Sequence, residues 1–336
     1  MEIGNASTAV TVLSTSEKSA STGDGSLKNT VDIVVFILTV PVPPVLVFVG
    51  LFGNFFSFLL MSQKKYAKST TCFYMRCMAV FDCFYIHGRM FLRYLLVIAP
   101  HLFETSQVKD PFCHYYLASL TAGYFLSPWT LVFMVFDRFI AVNWPLKVAM
   151  LCTMRRARIT ALVIFVFGVS FSLLQLKTTW QARYKHWLCP YTFNHPMDQL
   201  YSTIEGVIFT YIPMAAIIFF NLGILVALYR RKRNQSLSKT IVTSNESSIT
   251  LATLLVTAAF IVFQIPDEVN STYWSEWKGP VTANTFHLKR LALNLVILAE
   301  SMNFCLNSYF YILPCARLRK EMFFIIRLCK LSLGQR

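Results

Sequence analysis

The sequence predicts an all-α membrane protein, a seven-transmembrane helix bundle followed by a short amphipathic helix on the inner leaflet. Three observations predict it. Of 336 residues, 55% are hydrophobic and 14% charged, with 30 Phe and a mean hydropathy of +0.52, a composition that soluble domains of this length do not show. Apolar segments of about 20–30 residues recur along the chain, each long enough to cross a hydrocarbon core of about 30 Å as a tilted helix. Lys and Arg gather in alternate loops between them, which is how short cytoplasmic loops read.

The segments are Ile33–Met61, Thr70–Ala99, Phe112–Val142, Met154–Leu176, Leu200–Tyr229, Ser247–Tyr273 and His287–Leu313. In lipid only helices and closed barrels satisfy the backbone, and segments of this length exclude barrel strands. Basic residues follow the odd-numbered segments: Lys64, Lys65 and Lys68; Lys147, Arg155, Arg156 and Arg158; Arg230, Arg231, Lys232, Arg233 and Lys239; Arg317, Arg319, Lys320, Arg327 and Lys330. The other loops mix in Glu104, Asp110, Asp198 and Glu276. The rule places the basic loops in the cytoplasm and the N-terminus outside a plasma membrane. Much of the net charge of +15 is therefore a topology signal, and a nucleic-acid partner is excluded.

Residues 1–32 are rich in Ser, Thr and Gly and lack an apolar run, so they read as a disordered extracellular tail and not as a cleaved leader. Asn5-Ala6-Ser7 is a glycosylation sequon on that side. Asn234-Gln235-Ser236 lies on the wrong side, and Asn270-Ser271-Thr272 lies against the membrane. The bundle spans 33–313. From 314 to 336, Leu318, Met322, Phe323, Ile325 and Ile326 share a broad apolar face opposite Arg317, Arg319, Lys320 and Arg327, the pattern of an interfacial helix in contact with membrane lipid. Cys329 at its end is either a palmitoylation site or an unmodified thiol.

The third segment carries most information. Twenty-five helical steps separate Cys113 from Arg138, roughly 37 Å of helix, so Asp137 and Arg138 stand at the cytoplasmic boundary. Leu120, Tyr124, Ser127, Leu131, Met134 and Arg138 recur at helical spacing on one face. Cys113 and Cys189 would both lie outside, as a disulfide or as two free thiols. Nine cysteines without a C-x-x-C pattern suggest neither zinc nor a dense disulfide framework. No nucleophile–base arrangement or metal-ligand set is visible, so an enzyme is not expected. A transporter or channel is the rival class, but inverted repeats and paired broken helices are not seen.

With these landmarks in order, the chain resembles the rhodopsin-like (class A) G-protein-coupled receptors over nearly its whole length after the tail. Gly53-Asn54, Asp82 in "AVFDCF", Cys113, Asp137-Arg138-Phe139, Pro145-Leu146 and Pro213 match successive signatures of that family. Phe260, Phe263, Gln264 and Pro266 fall where the family has F-x-x-C-W-x-P, and Asn307-Ser308-Tyr309-Phe310-Tyr311 where it has N-P-x-x-Y. The resemblance implies a receptor that binds an extracellular ligand and activates a heterotrimeric G protein, with a Cys113–Cys189 bridge. It implies a switch in which Arg138 leaves Asp137, with Phe260, Asn307 and Tyr311 repacking beside it. The departures are Gln264 for a tryptophan, Ser308 for a proline, Asn221 for a fifth-helix tyrosine, and Gly168 or a nearby Phe for a fourth-helix tryptophan. They mark a divergent, invertebrate-like branch.

Asp82, Ser127, Asn303 and Asn307 match the family's sodium positions, and one carboxylate with three neutral oxygens suits a small hard cation. A hydrated network around a protonated Asp82 is the alternative. No other cofactor is expected. Leu120 stands where aminergic receptors carry an aspartate, and Ser301 where opsins carry the retinal lysine, so neither ligand class is expected.

Arg89, Arg93, Glu205, Asp267, Glu268 and Glu300 fall near the family's ligand cavity, together with Leu120, Tyr124 and Gln264. Intramembrane charges face cavities and mark function. They either pair internally, as Arg89 or Arg93 with Glu300, or bind a small polar chemosensory ligand, or bind a peptide. Four acids against two arginines favour a ligand with a basic group, such as an Arg-containing amidated peptide at a neuropeptide receptor.

Overall fold

A computed structural model describes residues 24–103, 106–181, 203–235, 244–275, 279 and 282–333. Among them every long element is helical. The first span is a broken helix, α1 (Asp24–Thr39) and α2 (Val42–Met61). The turn at Val40 and Pro41 separates them, and Pro43 and Pro44 open α2, where a missing backbone N–H costs nothing. α1 begins within the segment read as tail. The expected boundary at residue 32 therefore moves back to Asp24. Val31 and Val35 are buried, α1 packs along the seventh span, and Asp32 pairs with Arg290 there at 2.6 Å.

The second span is α3 (Thr70–Tyr85), a π-helical segment Ile86–Leu92, and α4 (Arg93–Ile98). Ser69 caps it by accepting from the Cys72 amide at 3.3 Å. The third span, α5 (Ser106–Asn143), leads through the one-turn α6 (Val148–Leu151) to the fourth, α7 (Met154–Gln181). The fifth has a π segment Val207–Tyr211 just ahead of Pro213 and continues as α8 (Ile212–Gln235). A π turn there absorbs the carbonyl that proline cannot bond. The sixth is α9 (Ser244–Ser275) with Pro266 inside it, the seventh α10 (Ala283–Ile312), and α11 (Ala316–Leu333) follows.

Six of these stretches among the described residues are long and apolar enough to cross a membrane. The second span is not among them, because Arg76, Asp82, Arg89 and Arg93 dilute its apolar character. Those charges are what the bundle interior uses. The third span is the hub, packing against α3, α7, α8 and α9. Gly123 lets it do so: a Cβ there would lie 2.6 Å from the Tyr85 backbone nitrogen. Gly168 does the same for the fourth span, where a Cβ would lie 2.7 Å from Phe125. Trp129 stands on the third span instead, its indole N–H donating to the Ile208 carbonyl at 3.0 Å.

The largest core cluster lies at the Arg138 end and joins Met75, Met78, Leu131, Met134, Ile217, Val256, Phe260 and Tyr311. Outward faces carry Phe48, Phe55 and Phe219, each more than half exposed, which suits lipid and not water. α11 turns Leu318 into the core and leaves Phe323 and Phe324 outward. Glu321 ties it to the loop after the first span by pairing with Lys65 and accepting from the Tyr66 hydroxyl at 3.2 Å.

Candidate functional site

Two buried polar clusters stack along the axis of the bundle. The lower one surrounds Asp82, which is fully buried. Ser127 Oγ donates to Asp82 Oδ1 at 2.5 Å and Asn307 Nδ2 to Oδ2 at 2.9 Å. Asn54 Nδ2 donates to the Phe304 carbonyl at 3.2 Å, and Ser308 Oγ to Asn54 Oδ1 at 3.3 Å. Ser308 thus joins the first and seventh spans and does not add a hydroxyl to Asp82. Asn303 Oδ1 and Asn307 Oδ1 are buried acceptors with no hydrogen-bond partner. An all-oxygen set of Asp82, Ser127, Asn303 and Asn307, two of its members holding unused lone pairs, fits a small hard cation such as sodium.

The upper cluster surrounds Glu300, which is 3% exposed. Arg89 Nη2 donates to Glu300 Oε2 at 3.0 Å, and the Tyr85 hydroxyl donates to the same oxygen at 3.1 Å. Across the bundle the Tyr124 hydroxyl donates to Asp267 Oδ2 at 3.5 Å, and Gln264 Nε2 donates to the Tyr124 oxygen. The Asp267 and Glu300 carboxyl groups are close enough to share a hydrogen bond. Arg93 Nη2 donates to Asn294 Oδ1 at 3.0 Å. Pro266 interrupts the sixth-span hydrogen bonding immediately before Asp267, and the π segment carries Arg89 on the second span. Both are local irregularities of the kind that re-aim side chains.

The clusters share a wall. Tyr85 stacks on Phe304 at 3.6 Å, and Tyr124 lies 6.1 Å from Tyr85 and 6.4 Å from Phe304, between rings. Leu120 packs against the same group, with Ile86 and Cys305.

Of the expected ligand residues, the structure gathers Arg89, Tyr124, Gln264, Asp267 and Glu300 into one network. Arg93 joins Asn294 one helical turn away. Glu205 is half-buried on the fifth span, and Glu268 accepts from the exposed Tyr211 hydroxyl, so neither belongs to that network. Leu120 lines the aromatic wall. Of the readings left open for these charges, internal pairing holds for Arg89 with Glu300 and does not hold for Arg93.

At the other end, Asp137 is nearly buried and bonds to Thr70, with Cys152 Sγ 3.8 Å from its carbonyl. Arg138 Nε donates to Thr71 Oγ1 at 2.7 Å, and Nη2 bonds to the same oxygen. The hydrogen bonds of Asp137 and Arg138 thus reach the first turn of α3. Phe260 and Tyr311 are both in the core cluster, and the Tyr311 hydroxyl meets Met78 Sδ at 3.2 Å. A cavity of about 50 Å3 opens beside Tyr311, lined also by Tyr66, Cys72, Ile249 and Cys315. Asn221 Oδ1 on the fifth span is buried without a hydrogen-bond partner among the described residues. The side chains of Cys113 and Cys329, and residues Asn5 and Cys189, lie outside the described residues.

Tyr85, Thr70, Thr71 and Asn294 were not expected at these sites. Tyr85 had a signal, since it lies three residues beyond Asp82 on one helical face. The threonines and Asn294 had none.

Long helices around buried charge clusters, with a charged pair at the basic end, define a polytopic helical bundle of membrane-spanning type. The family model for the 7 transmembrane receptor (rhodopsin family) matches residues 53–311, more than three quarters of the chain. The chain belongs to that family: it is a multi-pass plasma-membrane receptor that signals to a G protein in response to an extracellular ligand. The family is one of receptors and not of enzymes.

Proposed function

We propose that this receptor takes a peptide ligand with a basic group at the upper cluster, on the extracellular side, with the N-terminus outside and the Arg138 end in the cytoplasm. One observation carries the ligand reading: Asp267 and Glu300 are two carboxyl groups served by one guanidinium, Arg89. Among the described residues no cation is in salt-bridge contact with Asp267, and a Lys, Arg or amine of the ligand supplies one. Glu205 and Glu268 extend the acidic lining towards the fifth and sixth spans. The basic inner loops support the orientation, and a small polar chemosensory ligand of the same charge is the second reading.

In this reading ligand binding breaks the Tyr124–Asp267 contact, and α9 swings about Pro266. The inner cavity then widens beside Tyr311, and Arg138 exchanges Thr71 for the G protein. Sodium at Asp82, Ser127, Asn303 and Asn307 stabilises the resting form. A Cys113–Cys189 bridge, glycosylation at Asn5 and palmitoylation at Cys329 complete the proposal.

The test is a G-protein dose–response screen with basic peptides, amidated ones first. Asp267→Asn should weaken potency by about tenfold or more, the scale of one charged hydrogen bond. Glu205→Gln and Glu268→Gln should weaken it less. Wild-type potency in all three variants for a basic agonist would overturn the acidic-site reading. Arg138→Ala should lose coupling while surface expression persists.

A further inference from the structure

Among the described residues the second arginine of this end, Arg93, has no carboxylate within salt-bridge distance. Arg89 is matched by Glu300 at 3.0 Å and Arg290 by Asp32 at 2.6 Å. Arg93, one helical turn beyond Arg89, hydrogen-bonds the neutral Asn294 amide. Arg89 keeps a buried Nε–H with no hydrogen-bond partner, so Glu300 uses only part of its donor fork. Both arginines line one cavity between the first, second and seventh spans, with Asn294 and the apolar side chains of Leu38, Val42, Met90 and Ile297. The break between α1 and α2 shapes this cavity, since its lining comes from both sides of the Val40–Pro41 turn. It measures about 20 Å3, room for a water-sized group. A half-buried guanidinium in a membrane span whose described partner is a neutral amide leaves its charge without a close carboxylate, which is costly.

We propose that the Arg89–Arg93 cavity is an anion subsite. It takes a halide ion or one oxygen of a carboxylate, hydrogen-bonded by the remaining donors of Arg93 and the Arg89 Nε–H. Where the occupant is a carboxylate, it is the acid group of the ligand. This deepens the reading above and gives the site two poles: a basic group of the ligand at Asp267 and an acidic group at Arg93, with the Arg89–Glu300 pair between them. The ligand class is then zwitterionic, a peptide with a side-chain carboxylate near its basic group.

The test reads stability and not signalling, so its failure is distinguishable from failure of the basic-group reading. Full-length purified receptor is heated in sodium acetate or sodium chloride, with ionic strength held by bulky sodium isethionate and acetamide as the neutral comparator. The expected result is a saturable rise in Tm of about 2–4 °C that acetamide does not produce. Arg93→Gln should abolish the rise and Arg93→Lys should retain it. A rise with acetate assigns the site to a ligand carboxylate, and a rise with chloride alone assigns it to a halide ion. Absence of any saturable anion effect in the wild type overturns the proposal, as does an equal effect in Arg93→Gln.

Discussion

Asp82 and Glu300 are both buried carboxylates in the same bundle, on facing helices, and they are satisfied in opposite ways. Glu300 meets a guanidinium and a phenol on one oxygen. Asp82 meets only neutral donors, Ser127 and Asn307, and its neighbourhood holds two idle acceptors. The Glu300 cluster brings its own cation and therefore acts as a lock between the second and seventh spans. Among the described residues the Asp82 cluster holds no cation of its own, and its carboxylate rests on neutral hydrogen bonds. A buried ion pair holds elements in register because breaking it strands a charge. An ion that binds such a site in the folded state alone would raise stability by mass action.

The sharpest way to break this contrast is to strand Glu300. Arg89→Met should cost about 3–5 kcal/mol, seen as loss of folded receptor or a large fall in Tm. Arg89→Met with Glu300→Met should recover most of that loss; a double variant as unstable as the single would show that packing, not the ion pair, matters. Next in size is sodium. Replacing choline by sodium at about a hundredfold excess over Kd should stabilise the wild type by about 2.7 kcal/mol. Asp82→Asn should lose that response, whereas Glu300→Gln should keep it. If both variants respond alike, the cation does not bind at Asp82. Gly123→Ala separates packing from charge: a Cβ 2.6 Å from the Tyr85 nitrogen should cost about 1–3 kcal/mol and pry the shared wall between the clusters, measurable by thermal unfolding. The smallest effect belongs to Tyr85→Phe, about 1 kcal/mol, because Arg89 still holds Glu300; a loss as large as that of Arg89→Met would move the lock from the arginine to the phenol.

The two clusters also differ in how far they could be foreseen. Asp82, Ser127, Asn303 and Asn307 stand at spacings that resemble a known family, so the lower cluster was nameable before any contact was seen. The upper charges were visible as six ionisable residues, but their partners were not. Arg89 and Glu300 are 211 positions apart, and both Arg89 and Arg93 were candidates for Glu300. The π segment between Tyr85 and Arg93 shifts the helical phase, which a regular 3.6-residue projection does not anticipate. At the basic end, the contact of Arg138 with Thr71 depends on how the second and third spans cross. The tail boundary failed for a related reason: Ser, Thr and Gly composition reads as disorder, whereas the seventh span packs against α1.

By itself the sequence determined the number and placement of the spans, the basic end of the bundle and the identity of the buried ionisable residues. Those properties are local: twenty apolar residues must be helical in lipid, and a charge within them must face inward. Only the tertiary structure decided which charges meet. It matched Glu300 with Arg89, left Arg93 on a neutral amide and set Asp82 on neutral donors. Pairing across a bundle depends on crossing angle, helical phase and the close approach that Gly123 permits, and these belong to several helices at once.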